Sequence, residues 1–243
     1  MPARKKIEKP KPSLAALKRE VNALRDPERA RFLQGFFRTG PGEYAEGDKL
    51  LGLSVPISRK IAKEFRELPL EDIAELLASS WHEHRLIALL ILDLQHKKAD
   101  EKMRAALHRF YVKHRAGVNN WDLVDTSARM LFGEHDADGS LAGRWARSSN
   151  LWERRIAMVS TFAALKRGET ERTFRIAEML LEDKHDLMHK AVGWLLREAG
   201  KVDMPALLAF LRKHYTRMPR TALRYAIERL DPVDRKLWLT GPQ

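Results

Sequence analysis

The stretch Leu151-Trp152-Glu153-Arg154-Arg155 begins a helix, and similar helix starts recur along the chain. Three others resemble it: Trp81-His82-Glu83-His84-Arg85, Leu187-Met188-His189-Lys190 and Met218-Pro219-Arg220. The four stretches end in the basic residues Arg85, Arg155, Lys190 and Arg220, and successive ones are 70, 35 and 30 residues apart. A helix pair that repeats at about this interval is typical of an α-solenoid of the HEAT type. We therefore predict an all-α fold of stacked antiparallel helix pairs.

Apolar residues recur at helical spacing from Ser13 onward, and alternating β-branched runs typical of strands are nearly absent. The spacing predicts helices over residues 13–25, 28–38, 56–67, 70–79, 83–96, 99–115, 120–132, 138–147, 151–166, 169–182, 186–199, 203–214 and 219–229. Asp26-Pro27 combines a capping residue with a proline in the first turn, while Gly168 and Gly200 mark helix ends. Because each helix is short, its stability must come from stacking against its neighbours.

The chain has 243 residues, 44% of them hydrophobic, and can bury a substantial core. We predict one domain over residues 13–243, preceded by a flexible basic arm over the lysine- and proline-rich residues 1–12. The formal net charge of +12 points to a polyanionic partner. The arm supplies +4 of it, so the remaining chain carries +8. The alternative is a basic protein whose charge only keeps it in solution.

Several classes of chemistry lack support in the sequence. The absence of cysteine excludes disulfides, thiolate metal sites and a cysteine nucleophile. The histidines of His82-Glu83-His84 and of residues 184–189 do not have a recognised zinc spacing, so we predict no metal and no cofactor. The longest apolar run, residues 86–92, is too short to cross a bilayer, and the N-terminus lacks the apolar core of a signal peptide. We expect a cytoplasmic or nucleoid-associated protein, a monomer, without membrane contact.

Equivalent positions of successive repeats form a stripe along a concave face of such a stack. Trp121 lies 36 residues beyond Arg85 and joins the basic residues at this interval. The predicted stripe consists of Arg85, Trp121, Arg155, Lys190 and Arg220. A cationic groove that contains an aromatic side chain fits a nucleic-acid backbone. Alternatively, these basic residues only lie at helix starts on the solvent edge, although cations are disfavoured in a first turn.

Two helix faces carry further candidates. Trp121 and Asp125 are four residues apart and share a face, where they could equally be a core tryptophan and a solvated aspartate. Lys190, Trp194 and Arg197 also share a face, with Gly193 between them in mid-helix. Glycine is costly in a helix, so its presence indicates the close approach of another helix or of a ligand.

These segments resemble the signature blocks of the AlkD-type DNA alkylation repair glycosylases. Three blocks carry the resemblance: residues 120–125, residues 150–155 and residues 190–198. A fourth runs from Tyr44 through Leu51-Gly52-Leu53 to Pro56 and Arg59, with one residue of difference in spacing after the tyrosine. The likeness extends from about residue 30 to residue 230. The tryptophan pair of the family's block is reduced here to Asn120-Trp121, which leaves the range of substrates open.

The resemblance implies a HEAT-like repeat fold that grips duplex DNA in a concave cationic groove. It also implies hydrolysis of the N-glycosidic bond of alkylated purines such as 3-methyladenine and 7-methylguanine. Asp125 matches the essential carboxylate, and Trp121 and Trp194 match the aromatic pair beside the lesion. The predicted DNA contacts are Arg155, Lys190, Arg197, Arg85, Tyr44, Arg59 and Arg220.

The predicted chemistry needs only one carboxylate. A purine alkylated at N3 or N7 is already cationic and departs without being protonated, whereas ordinary glycoside hydrolysis requires a second carboxyl group as acid. An ionised Asp125 could stabilise the positive charge on the sugar and position water. Two alternatives stay open: a non-catalytic protein on the same scaffold that binds damaged or branched DNA, and a HEAT scaffold for an acidic protein partner.

Overall fold

The computed structural model describes residues 13–241, which are mainly helical. Among these residues there is no β-strand, only an isolated bridge between Lys49 and Trp81. The predicted all-α class is confirmed. The chain divides into two compact units, unit 1 ending at Lys98 and unit 2 beginning at Ala99. The predicted flexible arm lies outside the described residues, and one domain over residues 13–243 stays a prediction.

Unit 1 is built around one long buried helix. Its described helices are α1 (Leu14–Ala23), α2 (Pro27–Phe37), α3 (Val55–Glu64), α4 (Leu70–Leu77) and α5 (His82–Lys98). Helix α5 packs against α3 and α4, and residues 82–92 are buried on every side of it. The predicted start of α2 is confirmed, because Asp26 Oδ1 accepts hydrogen bonds from the N–H groups of Glu28 and Arg29 at 3.1 and 2.9 Å.

The loop before α3 is held by a carboxylate of α5. The Glu83 carboxylate is buried and accepts hydrogen bonds from the N–H groups of Leu51, Gly52 and Leu53 at 2.9, 2.8 and 3.2 Å. Gly52 has φ +87°, and a Cβ there would overlap the backbone oxygen of Asp26. Only glycine fits this position, because a side chain would meet both strain and backbone.

Unit 2 contains the remaining helices. They are α6 (Glu101–Lys113), α7 (Trp121–Ala128), α8 (Ser140–Trp145), α9 (Leu151–Ser160), α10 (Phe162–Lys166), α11 (Glu171–Leu180), α12 (Asp186–Val202), α13 (Met204–His214), α14 (Arg220–Ala226) and α15 (Pro232–Thr240). A π-helical turn, Arg129–Gly133, follows α7, and short 3₁₀ turns span Arg115–Gly117 and Tyr215–Arg217. No helix among residues 13–241 combines the length and apolarity needed to span a bilayer.

The helices of unit 2 are arranged in two layers. Helix α9 packs against α7 on one side and α12 on the other, and α12 packs in turn against α14. Helices of the second layer alternate with them along the chain: α8 contacts α9, α11 contacts both α9 and α12, and α13 contacts α12. This succession of neighbouring helix pairs is the predicted solenoid-like arrangement.

Two differences from the predicted helices have local causes. The helix predicted over residues 151–166 is broken at Thr161 into α9 and α10. The hydroxyl groups of Ser160 and Thr161 donate to the carbonyls of Ala157 and Met158, both at 2.8 Å, and such bonds compete with the helix ladder. Helix α15 was not predicted, although Asp231-Pro232 repeats the Asp-Pro start seen at α2 and Asp231 Oδ1 caps Val233 and Asp234.

Candidate functional site

The predicted carboxylate is held by an arginine of the next helix in its layer. Asp125 lies in α7, and the Arg155 guanidinium of α9 donates to both of its oxygens, Nε to Oδ1 at 3.0 Å and Nη2 to Oδ2 at 2.8 Å. The remaining nitrogen, Nη1, donates to the Leu187 carbonyl near the start of α12 at 2.6 Å. One arginine therefore joins three successive helices of the layer.

Burial and charge act in opposite directions on this pair. The Asp125 side chain is 25% exposed and that of Arg155 only 6%. Burial raises the pKa of the Asp125 carboxyl above its ordinary value, while the charge and hydrogen bonds of Arg155 lower it. The net direction is upward. The carboxylate is thus largely desolvated, its charged form is favoured by one guanidinium, and a quarter of the side chain is still exposed, at 25%.

Trp121 is placed at the start of α7 by a capping residue. It is the first residue of the helix, half-buried, one turn before Asp125. The fully buried Asn120 caps the helix, and its Oδ1 accepts from the Trp121 N–H at 2.8 Å. Sequence reasoning did not assign a role to Asn120, although an asparagine immediately before a helix start is a recognisable signal.

Helix α12 presents the second predicted face. The half-buried Trp194 lies 6.1 Å, centroid to centroid, from the ring of Phe162 in α10. The presence of Gly193 has a packing reason, because a Cβ there would overlap the Ala222 carbonyl and come within 2.5 Å of Tyr225 Cβ. Another helix, α14, therefore makes the close approach that the glycine indicated.

The two cations on this face already have carboxylate partners. Lys190 Nζ is 2.7 Å from Asp186 Oδ2, and its side chain is 44% exposed. Arg197, with a side chain 22% exposed, pairs with Glu228 in the turn after α14 and with Glu198, the latter at 3.5 Å. An exposed ion pair such as that of Lys190 and Asp186 contributes little to stability, so Lys190 can exchange this carboxylate for another anion at low cost.

Arg85 is not placed as the predicted stripe requires. It is 3% exposed, and its guanidinium donates to Asp48 Oδ2 at 2.6 Å and to the Ser79 carbonyl at 2.7 Å. A buried guanidinium with a buried carboxylate partner is not available to a phosphate at the surface. A contact between Arg85 and DNA stays a prediction, and the burial of Arg85 against Asp48 does not favour it.

The reason is the register of the repeat. Arg85 is the fourth residue of α5, whereas Arg155 is the fifth residue of α9. The counterpart of Arg85 is Arg154, which donates to the carbonyl six residues before it, that of Ser148, and pairs with Asp183 at 2.6 Å. One residue turns a side chain by about 100° around a helix, so Arg85 and Arg155 occupy different faces of their own helices.

The remaining predicted residues are spread over both units. Tyr44 is half-buried in the loop before α3, and Arg59 is exposed on α3; both belong to unit 1. Arg220 is exposed at the first position of α14, and its Nη2 donates to the Leu239 carbonyl at 2.5 Å. The side chains that lie in unit 2 are Trp121, Asp125, Arg155, Lys190, Trp194, Arg197 and Arg220. Within residues 13–241, no group of three or more histidine, aspartate or glutamate side chains is placed to hold a metal ion.

Fold and site together define an all-helical, solenoid-like protein with an arginine-held carboxylate one turn after a tryptophan. The chain belongs to the DNA alkylation repair enzyme family, whose model matches residues 17–230. Among solved structures it is similar to a predicted DNA alkylation repair enzyme from Enterococcus faecalis. The two chains are 15% identical with a TM-score of 0.66, over 86% of this chain and 97% of the other, a likeness that shows the fold alone. A search of curated proteins gives no match.

Proposed function

We propose that this protein is a monofunctional DNA glycosylase that hydrolyses the N-glycosidic bond of cationic N-alkylpurines in duplex DNA. The observation that carries the proposal is the Asp125 carboxylate, desolvated but open on one side, one turn after Trp121. Membership of the DNA alkylation repair enzyme family supports the same class of substrate. The proposal includes 3-methyladenine and 7-methylguanine as substrates and a HEAT-like repeat as the scaffold.

The reaction requires an anion more than it requires an acid. When the bond between the sugar C1′ and the purine nitrogen breaks, its electron pair neutralises the cationic base, which leaves without a proton. Positive charge develops on the deoxyribose, and a carboxylate in a poorly hydrated site attracts that charge far more strongly than one in water. A water molecule then adds to C1′, and its proton passes to Asp125 or to solvent.

Arg155 has a different role in this proposal from the phosphate contact first predicted. Its two hydrogen bonds to Asp125 orient the carboxylate and favour its charged form, and its third, to the Leu187 carbonyl, holds the guanidinium in place. Arg155 is therefore a positioning residue. The more exposed Lys190 is better placed to meet a phosphate, and Arg197 can do so by releasing its glutamate partners.

Trp121 and Trp194 supply the aromatic surfaces in the proposed mechanism. Their half-buried rings exclude water from the neighbourhood of the charge, and aromatic faces attract cations such as the alkylated base. Phe162 supports the Trp194 ring from one side. In this proposal, the protein acts as a monomer in the cytoplasm, with duplex DNA as its partner and no cofactor.

The test is release of methylated purine from alkylated duplex DNA under single-turnover conditions. Asp125→Asn keeps the shape of the side chain but removes its charge and turns one of the two oxygens that accept from Arg155 into an NH2 donor, so we expect a loss of about a hundredfold or more in rate. Asp122→Asn is the matched control, because it removes a carboxylate from the same helix whose charge raises the pKa of Asp125, so its loss does not reduce the ionised fraction of Asp125. Equal rates for wild type and Asp125→Asn would sink the assignment.

The same assay separates the alternatives. A protein that binds alkylated duplex tightly but releases no base is the non-catalytic DNA-binding protein. A protein whose affinity for DNA does not depend on salt, and is unchanged in Lys190→Ala, fits the scaffold for an acidic protein partner.

A further inference from the structure

The guanidinium of Arg197 is only partly engaged by the protein. Its Nη1 donates to Glu228, whereas Nη2 is 3.5 Å from Glu198 and the buried Nε has no hydrogen-bond partner among residues 13–241. Arg155, by contrast, donates from all three nitrogens, to Asp125 and to a backbone carbonyl. A guanidinium offers five N–H groups in a fixed fork, so Arg197 keeps donors for another anion.

Glu198 does not complete this set of contacts. Its two oxygens accept from Lys201 Nζ at 2.6 and 2.5 Å, one turn further along α12. The charge of Glu198 is therefore shared mainly with Lys201. Glu228 is consequently the main carboxylate partner of Arg197.

Glu228 reaches Arg197 from outside α12. It lies in the turn that follows α14, and α14 packs against α12 where Gly193 meets the Ala222 carbonyl. The Glu228 side chain is 53% exposed, and that of Arg197 is 22% exposed. An exposed glutamate gains little from such a pair and can turn to water at low cost. Another anion can therefore replace Glu228 at this arginine.

The other cation of this face has an acidic partner that its own helix explains. Asp186 pairs with Lys190 within α12 and belongs to the first turn, where the helix dipole favours an acid. Glu228 instead follows the last turn of α14, where the dipole disfavours an acid. The position of Glu228 is therefore explained by Arg197 and not by its own helix.

Arg197 also has a suitable neighbour for a DNA contact. It lies three residues after Trp194, so the two side chains share a face of α12. An anion that is bound by Arg197 therefore lies beside an aromatic surface of the proposed mechanism.

We propose that Glu228 occupies the place of a DNA phosphate at Arg197, and that this carboxylate limits the affinity of the protein for DNA. The inference rests on the proposed function for the identity of the anion, a phosphate of duplex DNA. A phosphate can accept from two nitrogens of one guanidinium, whereas Glu228 accepts from Nη1 alone. On binding, the phosphate replaces the carboxylate, and Glu228 turns to water.

The experiment measures the affinity for an unmodified DNA duplex at several salt concentrations. Glu228→Gln keeps the shape of the side chain without its charge and is expected to strengthen binding by about two- to fivefold, the range of an exposed ion pair. Arg197→Ala is expected to weaken binding and to lower the slope of log affinity against log salt by about 0.9, the value for one phosphate contact. In the Arg197→Ala background, Glu228→Gln should no longer strengthen binding.

Glu178→Gln is the matched control. It also removes a partly exposed carboxylate that pairs with a lysine, Lys213, but it lies on α11 in the other layer. Its affinity for DNA should be close to that of wild type. Thermal unfolding of each variant shows whether the fold is intact.

The double variant separates a direct exchange from the effect of net charge. If Glu228→Gln strengthens binding equally with and without Arg197, the carboxylate acts only through its charge, and the inference is wrong. Unchanged or weaker binding of Glu228→Gln would also overturn it, because the carboxylate would then be neutral or would orient Arg197 for DNA.

The outcomes also distinguish this inference from the proposed function. If wild type binds DNA and Glu228→Gln strengthens that binding through Arg197, but no methylated purine is released, the exchange stands and the glycosylase proposal fails. If purine is released while Glu228→Gln leaves the affinity unchanged, the glycosylase proposal stands and the exchange is wrong. Wild type without salt-dependent DNA binding would overturn both.

Discussion

Arg155 binds both oxygens of Asp125, at 3.0 and 2.8 Å, across two helices whose sequence positions are 30 residues apart. The carboxylate that the proposed chemistry needs is therefore not a free surface group. Arg155 favours the charged form of this largely desolvated carboxylate. The Arg155 guanidinium is itself hydrogen-bonded to the Leu187 carbonyl. The charge and the position of the Asp125 carboxylate, and the stability of the fold around it, consequently depend on the Arg155 guanidinium.

Excision should fall as the pH falls, with a midpoint above the ordinary aspartate pKa of about 3.9. Burial raises the pKa of Asp125, and only its ionised form stabilises the developing cation. In Arg155→Met the opposing influence is lost, so the midpoint should move to still higher pH. Single-turnover rates across the acid to neutral range, corrected for spontaneous base loss, measure this. If Arg155→Met lowers the excision rate by the same factor at every pH, the role of Arg155 is only structural.

Arg155→Met should also lower the free energy of unfolding, by about 3 kcal/mol at neutral pH, because it leaves a buried carboxylate without its partner. The loss should shrink as the pH falls. The folded pKa of Asp125 is raised above its unfolded value, so protonation favours the folded state and removes the uncompensated charge. Urea unfolding at neutral and acid pH measures both quantities.

A double variant supplies the control for this stability prediction. Asp125→Asn combined with Arg155→Met has no buried charge at either position, so it should be more stable at neutral pH than Arg155→Met alone. If the double variant is as unstable as the sum of the single changes, the two residues are not coupled.

Gly193→Ala should destabilise unit 2 despite the better helix propensity of alanine. The added Cβ would overlap the Ala222 carbonyl and crowd Tyr225, so α14 has to move, at a cost of about 1–3 kcal/mol. Gly143→Ala is the matched control, since a Cβ at this position of α8 meets no atom within 4 Å. That variant should gain up to about 1 kcal/mol. Relative to wild type, we expect a lower midpoint of thermal unfolding for Gly193→Ala and a higher midpoint for Gly143→Ala.

Lys190→Ala and Arg85→Met should separate DNA binding from folding. Lys190→Ala removes an exposed cation, so it should reduce the salt slope of DNA binding by about 0.9 and leave the unfolding transition nearly unchanged. Arg85→Met removes the arginine partner of the buried Asp48 carboxylate, which then retains His82 at 3.4 Å, so it should lower the unfolding midpoint. Under conditions in which Arg85→Met is folded, its slope of log DNA affinity against log salt should equal that of wild type. A lowered slope in Arg85→Met would restore Arg85 to the interface.

Local signals in the sequence were sufficient for most helices. The start of α2 follows from Asp26 and Pro27, whose cap and fixed backbone angle act within a few residues. The same pair at Asp231 and Pro232 begins α15, which shows that the signal was present there too. The break at Thr161 was harder to foresee. Serine and threonine also occur within unbroken helices, and packing decides whether their hydroxyl groups bond back to the helix.

By itself, the sequence determined the all-α class, the repeat interval, the cationic charge and the pairing of Trp121 with Asp125 on one helix face. These properties depend on composition and on periodicity within a few turns. The tertiary structure alone decided that Arg155 turns inward to Asp125 and that Arg85 is buried. A shift of one residue in a helix start rotates a side chain by about 100°, and only packing between helices sets that register.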